Sequence, residues 1–266
     1  MAMPPYQVLA FNTAKEAENK IHDDATARRF GFKGGFVGGV NVYAYMSHQP
    51  VHHWGRDWLE RGTAAARFSK PVYEGDIAEV SAVMDADGMA LEVRSLGEIC
   101  ATGHAAMPSD LPSPPALREF EAVAPRAERA MADEVSLKVG DWLGMRPTVI
   151  TEAVHAEDLA NTRETDPIYL KERILHSGTV LRCCNWVLTH NVILPAWIHM
   201  GSTIRNLSIA KVGDTLNVRA RITKNYEYKG HMWVVLDAMV VANETTPVMQ
   251  ATHTAIYRPR QVAEAA

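Results

Sequence analysis

The strongest constraint on this fold is that the chain carries the same pattern twice. Lys20–Asp24 (KIHDD) recurs as Pro167–Lys171 (PIYLK), and Trp58–Gly62 (WLERG) recurs as Trp197–Gly201 (WIHMG). An EGD turn at Glu74–Asp76 recurs as VGD at Val212–Asp214, and each half ends in a strand with a central histidine, His104 or His253. The spacing between counterparts drifts, which fits a duplicated domain with loop insertions and not a short solenoid repeat. Four prolines within Met107–Pro115 mark the break between halves, since they suit neither a helix interior nor a central strand. The expected organisation is a first domain over residues 1–110, a linker over 111–134 with a helix at Ala116–Glu134, and a second domain over 135–266.

Each half contains one apolar helical run, Val40–His48 and Thr179–Val192, hydrophobic on nearly every face. Such a helix is buried all round, as when a sheet wraps it. Strand alternation follows, for example in Thr215–Lys224 and Met232–Val241, with Tyr228–His231 as the hairpin turn between them. The expected class is α+β, with one central helix wrapped by a curved antiparallel sheet, present twice. Pro50 is expected to interrupt the first helix.

With 266 residues, 47% of them hydrophobic, a large core is available. A formal net charge of −4 with scattered Lys and Arg gives no footprint for nucleic acid or a membrane surface. The start MAMPPYQVLAF has no secretion pattern and no apolar run is long enough to span a bilayer, so a cytoplasmic protein is expected. Three cysteines, Cys100, Cys183 and Cys184, read as reduced thiols, the adjacent pair as small buried hydrophobes. His48, His52 and His53 read as a solvated or substrate-lining loop in preference to a zinc site, since no Cys, Asp or Glu nearby completes a set. Tyr43, Tyr45 and Trp186 read as core. The glycines of Phe32–Val40 lack the Lys-Ser/Thr end of a phosphate loop.

The chemistry-bearing stretch is Glu18–Gly39. It sets Asn19 and His22 in a loop, then a glycine-rich turn, then a helix start near Val40. A helix start offers unpaired N–H groups and a positive dipole end, and a nearby histidine can move protons. The Gly38, Gly39 and Val40 amides are therefore candidates to hold a carbonyl oxygen.

These residues resemble the MaoC-like (R)-specific enoyl-CoA hydratase and dehydratase family, whose signature runs from a phenylalanine through small residues to Gly-Asp-x-Asn-Pro-Ile-His. Phe11 takes the phenylalanine place, Asn19 the asparagine and Ile21-His22 the end; Ala17 stands at the aspartate place and Lys20 at the proline. Phe32–Val40 resembles the segment opening the family's helix, Gly39 the oxyanion-hole position, and Ser47 a serine common in that helix. In the second half, Leu137–Asp141 and Val149–Glu152 look like the leading strands, with Glu164, Asp166 and Tyr169 at the aspartate, asparagine and histidine places and His176 and Gly178 before the second helix.

The resemblance implies a tandem (double) hotdog fold and a hydratase- or dehydratase-type lyase that adds water to, or removes it from, an α,β-unsaturated acyl thioester or a related carbonyl substrate. It implies catalytic roles for His22, Asn19, Gly39, Glu18, Tyr169 and Asp166, and substrate contacts from Gly38, Val40, Ser47, His176 and Gly178. Glu16, Glu18 or Asp23 is the source open for the missing carboxylate. No cofactor or metal is implied beyond coenzyme A as a substrate carrier, and a homodimer is expected. The alternative is a non-catalytic double hotdog that binds an acyl thioester or another small ligand; a thioesterase ranks third, because the two helical runs contain no Asp or Glu.

Overall fold

The computed structural model describes residues 2–260. The first half comprises β1 (Tyr6–Leu9), α1 (Asp24–Arg29), α2 (Gly39–Trp54), α3 (Arg56–Arg61), β2 (Thr63–Phe68), β3 (Ile77–Met84), β4 (Met89–Ser95) and β5 (Glu98–Ala106). After the break come β6 (Ala130–Met131), β7 (Trp142–Gly144), β8 (Thr148–Val149), α4 (Glu152–Thr162), α5 (Ile168–Glu172), α6 (Ser177–Thr189) and β9 (Val192–Ile193). The long strands β10 (Ile198–Asn206), β11 (Thr215–Tyr228), β12 (His231–Ala242) and β13 (Thr246–Arg258) complete the second half.

The main sheet runs β1-β3-β4-β5-β2-β10-β13-β12-β11-β7, with β8 also on β11, and every pairing in it is antiparallel. β2 and β10 join the halves, Gly201 facing Arg67 and Arg205 facing Thr63. The two central helices lie against each other inside this sheet in opposite senses. The first turn of α6 meets the middle of α2, where Tyr43 Oη and Ser177 Oγ are 2.9 Å apart. Gly178 permits that approach, because a Cβ there would fall 2.6 Å from the Ala44 Cβ.

Both helices are buried along most of their length, as their apolar faces require. Helix α2 is longer than the sequence suggests, because it passes through Pro50 and ends only at Gly55, whose φ of 60° suits glycine. A proline inside an isolated helix costs about 3 kcal/mol. Here the turn is enclosed: Pro50 and Val51 are buried, and Gln49 Nε2 donates to the Pro4 and Val80 carbonyls. The Tyr228–His231 hairpin turns as expected, with Lys229 and Gly230 both at positive φ. Gly75 and Gly213 take matching positive φ values of 81° and 97° before β3 and β11.

Three further expectations are corrected. Ala116–Glu134 forms no linking helix: one short 3-10 turn spans Leu117–Glu119, and the rest is irregular until β6 pairs in parallel with β9. Pro125 forbids a continuous helix, and the backbone there finds partners elsewhere. Arg126 N donates to Asn191 Oδ1 (3.0 Å), and Arg219 donates to the Leu117 and Phe120 carbonyls. Leu137–Asp141 is a turn with β7 beginning only at Trp142, and in Val149–Glu152 Thr151 already caps α4. The Trp58–Trp197 pairing joins unlike elements, since Trp58 lies in α3 and Trp197 just ahead of β10. All three cysteines are free and buried, and burial pushes the Cys183 thiol up to about 12.

Candidate functional site

A cavity of about 240 Å³ opens at the start of α2 and draws its walls from both halves. The first half supplies Asn19, His22, Phe36, Gly38, Gly39 and Phe68; the second supplies Asn185 of α6 with Trp197 and His199 at β10.

His22 ends a 3-10 turn over Lys20–His22 and is buried against Phe36. Its Nδ1 lies 2.7 Å from the Phe36 carbonyl, an acceptor only, so Nδ1 carries the proton and Nε2 a lone pair. Burial lowers its pKa, partly offset by that carbonyl, which keeps the ring neutral at neutral pH. The ring sits beside the helix start, with Nε2 4.0 Å from where a Gly38 Cβ would stand. Asn19 is fully engaged elsewhere: Nδ2 donates to the Trp197 carbonyl (2.9 Å), and Oδ1 accepts from Trp197 N (3.1 Å) and Ile21 N. It clamps the His22 turn to the second half.

Gly38 is the N-cap of α2 and provides no side-chain cap. The first helical bonds run from Asn41 N and Val42 N to the Gly38 carbonyl, so the Gly39 and Val40 amides precede the intrahelical ladder. Gly39 has no room for a side chain: a Cβ would fall 2.9 Å from His199 Nδ1 and 3.0 Å from the Phe68 ring. His199 is itself braced. Its Nε2 is 2.9 Å from Ser202 Oγ, which is 3.0 Å from His253 Nδ1, and the two imidazoles stack at 4.1 Å. Burial, reinforced for His199 by the neighbouring His253, pushes both pKa values down, His253 to about 3, so the pair is neutral.

The other expected site residues lie away from this cavity. Glu18 is exposed and paired with Arg129 Nη1 (2.9 Å), and Asp23 caps α1 through Thr26 N. Glu16 is exposed too, so none of the three carboxylates considered reaches the cavity, whose lining has no Asp or Glu. Val40 is not among the residues lining the cavity, and its side chain is core. Ser47 lies deeper along α2, where Oγ donates to the Ala44 carbonyl.

Tyr169, Asp166, His176 and Gly178 gather instead at the start of α6, around Glu164. Its carboxylate accepts four hydrogen bonds: from His48 Nδ1 (2.7 Å), His176 Nε2 (3.1 Å), Thr165 N and Asp166 N (both 2.7 Å). Burial alone would raise this carboxyl; the bonds from His176 and His48 outweigh it and hold it well below the usual carboxylate range. The His176 and Glu164 side chains are 0% and 2% exposed, so the cluster is sealed. His176 also caps α6, its Nδ1 accepting from Gly178 N (3.0 Å). Tyr169 is fully buried, its ring 4.6 Å from that of His176, and its hydroxyl makes no hydrogen bond of normal geometry. Asp166 Oδ1 accepts from Ile168 N, and Tyr6 stacks on His48 at 3.7 Å. His48 is thus committed to Glu164, while His52 reaches only to within 3.7 Å of Asp166.

A carboxylate does face each central helix although none lies on one. Glu164 faces α2, and Asp158 of α4 faces α6, where it accepts from Thr179 Oγ1 and Arg182 Nη1. Both are consumed by these bonds. The sequence reading missed Asn185, Trp197 and His199 as cavity residues. Repeat spacing held a partial signal, since Asn185 in α6 stands where Ser47 stands in α2, but their meeting with His22 depends on how the two helices pack.

No family model and no curated protein matches this sequence. Solved structures do match in fold. A Chloroflexus aurantiacus protein provisionally described as a MaoC domain dehydratase is 12% identical, over 98% of this chain and 95% of that one, with a TM-score of 0.64. A conserved hypothetical protein of Mycobacterium tuberculosis, described as having a double hotdog fold, is 13% identical over 96% and 95%, also at 0.64. A Lactobacillus plantarum protein provisionally described as an oleoyl thioesterase is 10% identical over 98% and 97%, at 0.54. What this chain shares with them is architecture: it is a double hotdog, similar in fold to structures described as MaoC-like dehydratases.

Proposed function

We propose that the cavity at the start of α2 is the active site of a hydratase or dehydratase acting on an α,β-unsaturated acyl thioester. The observation that carries this reading is His22, whose Nδ1–H is fixed on the Phe36 carbonyl while Nε2 keeps a free lone pair beside Gly38. The thioester carbonyl would sit on the Gly39 and Val40 amides, where charge builds on oxygen as the double bond is attacked. His22 Nε2 takes a proton from water as the water oxygen bonds to Cβ, and the double-bond electrons move onto the carbonyl oxygen. The imidazolium then returns that proton to Cα, so a single base balances the addition. Dehydration is the reverse.

Asn19 acts as a positioning residue in this scheme, by holding the His22 turn against Trp197. Gly39 and the braced His199 keep the helix start open. Binding without turnover is the second reading, favoured by a cavity wall that carries no carboxylate. The two separate in one experiment: the enone absorbance of crotonyl-CoA and trans-octenoyl-CoA followed with wild type and His22→Ala. Decay that disappears with His22→Ala supports catalysis. Binding by calorimetry with no decay supports the second reading.

A further inference from the structure

The lining of the cavity constrains the acyl group, given the functional reading above. At about 240 Å³ it exceeds the roughly 150 Å³ cavity that holds one benzene ring, but falls below the roughly 300–1,000 Å³ of pockets for drug-sized ligands. A ring joined to a three-carbon enoyl unit fits such a volume, whereas a long fatty chain does not. Four aromatic side chains from three segments, Phe32 with Phe36, Phe68, and Trp197, line it, and edge and face contacts with a further ring are favourable in such a setting.

Asn185 is, with His199, a polar side chain of this lining whose buried polar atom has no partner. It projects from a helix whose neighbouring inward positions, Cys184, Val187 and Leu188, are fully buried apolar groups. Its side chain makes no hydrogen bond to any described residue, and its Oδ1 is buried. The Trp197 indole N–H on the same wall is likewise buried without a partner. Buried amide and indole groups left unpaired cost about 1–3 kcal/mol each, and native structures hold few of them. Among the described residues of the lining, the only formal charge is Lys70, already paired with Glu98, and burial lowers the pKa of His22, His199 and His231. A neutral polar group therefore suits this wall better than a carboxylate or an amine.

From this volume, these walls and the unpartnered amide, we infer that the substrate is an aryl-enoyl thioester bearing a hydroxyl, and that Asn185 is the residue that recognises the hydroxyl. This rests on the functional reading above.

The test compares hydration of 4-hydroxycinnamoyl-CoA, cinnamoyl-CoA and trans-octenoyl-CoA by wild type, Asn185→Leu and Asn185→Ser. Calorimetric binding of the saturated 4-hydroxyphenylpropionyl-CoA and phenylpropionyl-CoA runs beside it. The expected result is a preference for the hydroxylated thioester of at least tenfold in kcat/KM. It disappears in Asn185→Leu and is partly kept in Asn185→Ser. Equal or better turnover of octenoyl-CoA by wild type, or a hydroxyl preference that survives Asn185→Leu, overturns the inference while leaving the hydratase reading intact. Tight binding of the hydroxylated analogue without turnover of any enoyl thioester supports the recognition and sinks the hydratase reading. Neither binding nor turnover of any of the five sinks both.

Discussion

The starts of the two central helices are counterparts by duplication, yet one is open and the other shut. At α2 the cap is Gly38, with no side chain, and the neighbouring loop presents a histidine whose outer nitrogen is free. At α6 the cap is His176, whose Nδ1 takes up the Gly178 amide, and Tyr169 fills the place where the first half has His22. Glu164 then ties His176 to His48 of the first half. What one copy leaves available for a ligand, the other spends on holding the halves together. Duplication frees one of two equivalent places from chemistry, and fold alone does not say which. The capping atoms do.

The largest effect that separates the two ends is expected at Glu164. Glu164→Ala leaves two buried imidazoles and two amides without their acceptor and should cost about 3–5 kcal/mol in chemical denaturation. His22→Ala, also buried but with a single hydrogen bond, should cost far less. Equal losses at the two positions would remove the distinction. Acid should find the Glu164 cluster too. A carboxyl whose folded pKa is depressed contributes stability that is present above the usual glutamate value of about 4.3 and is lost as pH falls below it. The neutral pair His199 and His253 adds a loss with the same sign, beginning near pH 6.5, where the unfolded chain starts to bind protons that the folded rings refuse. A melting temperature flat from about pH 7 to 5 would contradict the histidine contribution, and one flat from about pH 5 to 3 the Glu164 contribution.

Activity should respond in the opposite place. Under the proposed mechanism His22→Ala lowers kcat by roughly 100- to 10,000-fold, the usual range for a lost general base. Because burial depresses the His22 pKa, the acid limb of kcat/KM should lie below about pH 6.5, the ordinary histidine value, since Nε2 must be unprotonated to take a proton from water. An acid limb above that value would mean that another group is titrating.

A smaller substitution would make the open end resemble the shut one. Gly38→Asn supplies the missing cap, and the position has room, since a Cβ meets only the His22 ring, at 3.7 Å. An N-cap asparagine in place of glycine gains only a few tenths of a kcal/mol. If the Gly39 and Val40 amides hold the substrate oxygen, activity falls by about tenfold or more while stability rises slightly. Unchanged activity would detach the helix start from the chemistry.

The architecture was legible because it rests on periodicity. Two helices apolar on all faces, alternating strands and a recurring Gly-Asp turn leave few arrangements, and the Lys229-Gly230 hairpin follows from local backbone preference. Composition misled where one residue overruled it: Pro125 prevents a helix in an Ala-, Glu- and Arg-rich segment, while Pro50 fails to stop one that the sheet encloses. In the site, His22 and Gly38–Gly39 were legible because they adjoin along the chain. Glu164 could be seen as a candidate but not as the acceptor for His48, more than a hundred positions away. Asn185 carried only the partial signal of its repeat place opposite Ser47, since an Asn within an apolar helix looks the same whether it faces a cavity or another chain segment. Packing of α2 against α6 decides both, and no local pattern records it.

The finest test of the comparison is Tyr169→Phe. Were Tyr169 an acid at a second active centre, losing its hydroxyl would remove activity much as His22→Ala does. Its surroundings argue otherwise: the ring is fully buried, burial drives the hydroxyl well above its ordinary pKa, and that hydroxyl makes no well-formed hydrogen bond. An unpaired buried hydroxyl is a cost to the folded state, so deleting it while keeping the ring is neutral or mildly stabilising, within about 1 kcal/mol. Turnover should stay within about twofold of wild type. A hundredfold loss with the fold intact would mean that the end of α6 opens during the reaction, and that the chemistry belongs there.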